Sequence, residues 1–322
     1  MTNQNQLLAK SNIDKYIVFN KHVDQEIVEM CDKQEANIWL SSDINLTHDA
    51  GDWDKLSSDE QTYLKQVLAF FAGADGIVGE NLCLNFIKEV QIPEVRYFYY
   101  FQSMMEAVHS KTYSQLINTF ISSDDEKQEL FQAIENNPII KKKAEWCFNC
   151  MRSELSFSER ILGFMAVEGI FFAGSFAAIF WIRDRGFLAN SLGVANEYIS
   201  RDETLHAEFA ALMYKKFCND LPYERVLEIL VTACDIEKDF ISQALPVKLI
   251  GMNQDMMSQY LEFVVDMWLE ELGLPKHFNV SQPFDFMNMI GQRRKDNFFE
   301  KTRTNYARQT TSQSLDFSSL TF

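Results

Sequence analysis

Apolar positions along the chain recur at helical spacing, three and four residues apart, and no segment of useful length alternates as a strand would. The pattern predicts an amphipathic helix over residues 22–40, reaching Trp39. Ser57-Ser-Asp-Glu60 has the form of a capping box and opens a long apolar helix through "YLKQVLAFFAGADGIVGENLCLNFIKEV". Beyond Pro93 a third helix runs through "EVRYFYYFQSMMEAVHSKTYSQLINTFI". "SSDDEKQ" breaks the pattern, and a shorter helix ends near Pro138. Ser156-Phe-Ser-Glu159 is a second capping box, and "GFMAVEGIFFAGSFAAIFWI" follows it at 163–182. "RDRGFLANSLG" reads as a turn region, "NEYISRDETLHAEFAALMYKKF" as another helix, and 223–243 and 254–272 as two more. Residues 1–20 are polar and read as loose. The segment 301–322 is rich in Ser and Thr, has no period, and reads as disordered in isolation. The expected fold is all-α, a bundle of long helices.

Composition narrows this picture. The chain has 322 residues with 47% hydrophobic residues, enough for a large core. Only 12 Gly and 6 Pro interrupt it, which suits long helices. A net charge of −16 leaves no basic stripe for phosphates, so nucleic-acid binding is not expected. Six cysteines without a leader-like N-terminus suggest a reducing, cytoplasmic setting. Cys147-x-x-Cys150 lacks a second pair or nearby His to complete a zinc site, leaving a redox pair or two cysteines on a helix. The stretch 163–182 is long enough to span a membrane, but Glu168 lies well inside it, where a lipid-facing acid is costly. A buried bundle helix fits better.

Glu168 then needs a positive neighbour, because an unpaired buried carboxylate is among the costliest groups a fold can hold. Two of the five histidines carry a glutamate three residues earlier: Glu106-Ala-Val-His109 and Glu203-Thr-Leu-His206. On a helix each pair shares a face. Upstream of each lies one acid in an apolar helix, Asp75 and Glu168, at 31 and 35 positions before the glutamate. The same plan therefore occurs twice: buried acid, reversal, Glu-x-x-His. Four helices would converge on four carboxylates and two imidazoles, a charge set that two divalent ions neutralise. Single acids on two helices and Glu-x-x-His on two others is the ligand plan of ferritin-like di-iron and di-manganese sites. Mixed carboxylate and imidazole ligation suits iron or manganese. Ser103 and Ser200 sit three before each Glu; a capping box is ruled out at Ser103 by the unbroken run before it and stays open at Ser200. Tyr113 is one turn past His109, roughly 6 Å along the axis. Phe172, Phe176 and Ile199 are spaced to face the same centre.

At these residues the sequence closely resembles the small, radical-generating subunit of class I ribonucleotide reductase, of the eukaryotic and large DNA-virus type. The resemblance is carried by "EANIWL", "VLAFFAGADGIVGENL", "EAVHSKTYSQLI", "KKKAEW", "AVEGIFFAGSFAAIFW", "ISRDETLHAEFA", "LPVKLIGMN", "PFDFM" and "NFFEK", in the family's order over 35–301. It implies a ferritin-like dimetal domain over 1–300 and a docking tail over 301–322. It implies Asp75, Glu106, His109, Glu168, Glu203 and His206 as ligands of two iron ions, with dimanganese or mixed manganese–iron centres as alternatives. Tyr113 would carry the radical, in a pocket of Phe172, Phe176 and Ile199. Trp39 and Asp202 would join His109 in a chain to the surface, and Tyr306 would relay the radical to a large subunit docked by residues ending in Phe322. A homodimer is expected on the same ground. The sequence departs from many eukaryotic members in having no long N-terminal extension, and its end, "LDFSSLTF", carries few acids. Two other readings remain: a ferroxidase or peroxide-scavenging protein of the same fold, which would not need Trp39, Tyr113 or Tyr306, and a non-catalytic partner subunit. No Gly-rich phosphate loop is present, so nucleotide binding is not expected here.

Overall fold

The structure, a computed structural model, describes residues 7–8, 24–47, 49–152, 154–244 and 252–287. The described residues contain helices and no β-strand. The first is α1, Gln25–Ala36. Next come α2, Ser58–Glu89, and α3, Pro93–Phe120. The helices α4, Asp124–Phe131, and α5, Pro138–Cys150, follow, with a short turn of helix at Ala133–Asn136 between them. Then come α6, Phe157–Asp184, and α7, Leu192–Met213. The last are α8, Tyr223–Ala244, and α9, Gln254–Glu271. By contact the chain divides into Met1–Pro283 and Phe284–Phe322, and only 284–287 of the second unit lie among the described residues.

Both capping boxes form. Ser57 and Ser156 each accept from the backbone N–H three residues on, and Glu60 and Glu159 return the bond to the cap's own N–H. One boundary differs from the sequence reading. Helix α1 stops at Ala36, capped by Asn37, so Trp39 lies in an extended segment beyond it. A short helix ends at Asn136, next to Pro138 as the sequence predicts, and Pro138 also begins a further helix: it occupies the first turn of α5, where its missing N–H costs nothing, and Asn137 caps the two amides that follow. Leu7, inside the stretch read as loose, is buried and its carbonyl accepts from Gln91 N at 2.8 Å.

Helices α2 and α3 run antiparallel, with Ser110 Oγ on Ala72 O at 3.4 Å and Cys83 Sγ 3.2 Å from Ser103 Oγ. Helices α6 and α7 form a second antiparallel pair, where Asn196 Nδ2 donates to Phe176 O. The apolar stretch of α6 is 94% buried inside the protein, so its composition is that of a core helix. Between the pairs the rings of Phe98 and Phe209 stack with centroids 3.6 Å apart. Cys147 and Cys150 lie on α5, and Cys150 packs on Gly163, where a Cβ would come within 2.8 Å of its sulfur. Burial pushes the Cys150 thiol up to about 12 and Cys147 higher still, which keeps both protonated and favours packing over redox chemistry.

The α6–α7 turn is tied down from outside. Gly186 has φ of 86°, in the region L side chains avoid. Asp49 accepts from the backbone N–H of Asn190 (2.6 Å) and Ser191 (2.7 Å) and from both side chains. Burial works against its charge, but these donors outweigh it and hold the carboxyl below its ordinary value. A depressed folded pKa contributes stability above the unfolded value that is lost as pH falls through it. Asp49→Ala is expected to cost about 1.5–3 kcal/mol in urea unfolding near neutrality. The gap to wild type should shrink as pH drops below roughly 4; a gap independent of pH would contradict the assignment.

Candidate metal centre

Each helix of the two antiparallel pairs contributes to one buried cluster. Asp75 comes from α2, Glu106 and His109 from α3, Glu168 from α6, and Glu203 and His206 from α7. All six are at most 2% exposed. Ser103 and Ser200 lie inside helices, so neither Glu-x-x-His is a capping box. The residues fall into two groups that share Glu106: Glu106, Glu168, Glu203 and His206, and Asp75, Glu106 and His109, with ligand atoms in each group within 4.8 Å of one another.

The pairing of atoms is more specific than proximity. Both imidazoles turn Nδ1 inward. His109 Nδ1 lies 2.9 Å from Glu203 Oε1 and 3.3 Å from Glu106 Oε2. His206 Nδ1 lies 3.0 Å from Glu106 Oε1 and 3.1 Å from Glu203 Oε2. Glu106 and Glu203 thus each send one oxygen toward each imidazole, as carboxylates shared between two centres would. Asp75 Oδ2 and Glu168 Oε2 have no hydrogen-bond partner, and both Glu106 oxygens, Glu203 Oε1 and His109 Nδ1 approach one another or His206 Nδ1 without a well-directed hydrogen bond, although buried polar groups normally have one. An oxygen-rich, imidazole-containing set of orphaned donors fits two divalent iron or manganese ions.

The electrostatics express the same demand. Burial, and then Glu106 and Glu203, raise the Asp75 pKa well above normal. Burial, and then Glu203 and Glu106, do the same for Glu168. Burial opposes charge on the imidazoles, yet Glu203, Asp202 and Glu106 raise His109, and Glu106 and Glu203 raise His206 to about 9. Glu203 is held low against burial by the hydrogen bond with Glu168 and by His109. In metal-free protein, protons on Asp75, Glu168 and the two imidazoles thus stand where divalent ions would otherwise supply the positive charge.

Outward-facing atoms are also spoken for. His109 Nε2 meets Asp202 Oδ2 at 3.2 Å, and Trp39 Nε1 donates to the same oxygen at 2.7 Å. The Trp39 ring stacks on His109 with centroids 5.8 Å apart. Asp202 is buried, which rules out an ordinary surface acid. Four contributors had no signal in the sequence pattern. Arg201 holds Asp202 Oδ1 at 3.3 Å and Asn37 O at 2.7 Å. Gln102 Nε2 donates to Glu168 Oε1 at 3.0 Å. The Gln34 amide is satisfied with its nitrogen on Phe98 O and its oxygen on Gln102 N, both 3.1 Å. That oxygen then sits 3.3 Å from His206 Nε2 and accepts its proton, leaving Nδ1 as the lone-pair donor. Phe71 is the fourth: its ring lies 4.7 Å from Tyr113, 5.3 Å from Phe172 and 5.1 Å from Phe176. Ile199 is buried. Tyr306 and Phe322 lie outside the described residues.

Residues 16–283 match the family model described as the small chain of ribonucleotide reductase. The ribonucleoside-diphosphate reductase small chain of Trypanosoma brucei brucei is 51% identical over 296 residues, covering 91% of this chain and 87% of the relative. The small chain of Vaccinia virus (strain Ankara) is 47% identical over 290 residues, 90% of each chain. Among solved structures, the ribonucleotide reductase Rnr4 homodimer from Saccharomyces cerevisiae matches with a TM-score of 0.78 at 31% identity, covering 90% of this chain and 92% of that one.

Tyr113 is 1% exposed and its hydroxyl has no hydrogen-bond partner. Burial, then the charges of Asp75, Glu203 and Glu106, push its pKa well above the ordinary value. In alkaline titrations of metal-free protein, Tyr113→Phe and wild type should therefore form equal tyrosinate between about pH 9 and 11. One fewer tyrosinate in the variant would contradict the dry pocket.

Proposed function

The chain belongs to the ribonucleotide reductase small-chain family, and on that premise we propose that its buried cluster holds two iron ions and serves to make a radical on Tyr113. It is the small subunit of a ribonucleoside-diphosphate reductase. The observation that carries the reading is the sharing of Glu106 and Glu203 between two inward Nδ1 atoms. Asp75, Glu106, His109, Glu168, Glu203 and His206 are the ligands, and dimanganese or mixed manganese–iron occupancy suits the same donors. When bound, such a pair supplies the oxidising power of dioxygen.

This chain's residues do the rest. With the metal pair bound, dioxygen would be the oxidant, and Tyr113, buried beside Asp75, Glu203 and Glu106, would be the side chain that gives up one electron and its phenolic proton. Phe71, Phe172, Phe176 and Ile199 keep water from the resulting radical. Gln34 and Asp202 hold the two imidazoles in the tautomer that presents Nδ1. His109, Asp202 and Trp39 form the path along which the oxidising equivalent leaves, an electron and a proton moving inward in exchange. Tyr306 continues it to the large subunit, which the 301–322 tail docks through its end at Phe322, while 1–300 form the dimetal domain. The protein works in the cytoplasm as a homodimer, for which the exposed apolar side chains of Leu84, Tyr100 and Met104 offer a face.

A ferroxidase or peroxide scavenger of this fold would need neither a dry tyrosine nor a hydrogen-bonded tryptophan. Adding ferrous ion and oxygen to metal-free protein is expected to give a tyrosyl electron-spin signal. Tyr113→Phe should load the same iron and give none. Wild type that loads two irons without a tyrosyl signal would overturn the radical role. Removing residues 306–322 should abolish turnover with the large subunit and leave the radical intact; loss of the radical would contradict that division.

A further inference from the structure

The helix that carries Glu168 changes its winding at that residue. Val167–Phe171 form a π turn within α6. Such a turn inserts one residue into the α ladder, displaces the regular carbonyl partners, and occurs often at functional sites. Two carbonyls of this turn are taken by side chains from other helices. Trp268 on α9 donates Nε1–H to Gly169 O at 3.0 Å. Lys143 on α5 donates Nζ–H to Phe171 O at 2.9 Å. Neither side chain belongs to the candidate ligands.

Both donors are themselves fixed. Trp268 lies so close to Gly169 that a Cβ there would come within 2.5 Å of Nε1. Lys143 is fully buried, pairs with the equally buried Glu237 at 2.5 Å, and sits 3.5 Å above the Phe70 ring. Glu237 in turn faces Gly174, where a Cβ would meet its Oε1 at 2.9 Å. A buried ion pair is a poor way to gain stability. Its geometry here serves direction: the ammonium is aimed at one carbonyl of the turn.

We propose that Trp268 and Lys143 are positioning residues that hold the π turn so that Glu168 reaches the Glu106–Glu203–His206 side of the centre, and so set the affinity of one of the two ions alone. Glu168 clusters with that group and not with Asp75 and His109. A turn released from its two donors withdraws one ligand from one ion. The inference rests on the metal-centre reading above.

Manganese(II) titrated into the metal-free full chain, with free ion followed by its spin signal, tests it. Wild type is expected to bind two ions. Trp268→Phe keeps the ring and removes the donor; one ion should weaken about ten- to a hundredfold and the other bind as before. Lys143→Met combined with Glu237→Leu removes the pair without leaving a lone buried charge, and should give the same asymmetry. Trp53→Phe, at a buried tryptophan stacked on Phe120, is the control and should weaken neither ion. Thermal melts accompany each variant. Both ions weakening together with falling melting temperature, or both binding as in wild type, would overturn the proposal. Wild type binding fewer than two ions would instead remove the centre, and the proposal with it.

Discussion

Four carboxylates and two imidazoles, none more than 2% exposed, share one pocket between two helix pairs. Everything else in the protein is arranged around that concentration of charge. Unit charges a few ångströms apart, away from water, repel by several kcal/mol. The set is tolerable when positive charge lies among its members, and two divalent ions match four carboxylates in number. Protonation is the alternative, and the groups differ in how they would take it: Asp75 and Glu168 are pushed toward the neutral acid, while Glu203 resists. A bundle built only for stability would put apolar side chains in these positions.

The surroundings of the two imidazoles are not alike. His109 hands its outer nitrogen to Asp202 and, through it, to Trp39 and Arg201, a line of polar atoms leading out of the core. His206 hands its own to Gln34, whose amide is locked onto Phe98 O and Gln102 N of α3 and leads nowhere. One histidine is thus wired and the other anchored. Tyr113 sits on a third side, against aromatic rings, with no hydrogen bond to its hydroxyl. That separation of a polar exit from a dry pocket suits a protein that makes an oxidised side chain and later sends the hole elsewhere.

The repeated acid and Glu-x-x-His plan was legible because charge in an apolar helix is conspicuous and the spacing is set by helix geometry. The capping boxes were legible for a similar local reason. Gln34, Gln102 and Phe71 were not: a neutral amide or one more phenylalanine in a Phe-rich chain carries no pattern, and their roles depend on which helices meet. The π turn at Glu168 was equally hidden. One inserted residue leaves a uniformly apolar stretch uniformly apolar, so the shift of face has no mark in the sequence. The apolar spacing continues past Asn37, where the helix ends, and so predicts a helical Trp39. Its position beyond the end lets the ring fold back over His109.

The charge balance is open to direct observation. Crystals of the full chain grown with manganese(II) would be measured for anomalous scattering at the metal edge. Two peaks should appear among the six side chains, one on the side of Asp75 and His109 and the other on the side of Glu168 and His206, with Glu106 and Glu203 between them. Anomalous density only at surface acids, with the buried carboxylates packed on one another as in metal-free protein, would contradict the account at its root.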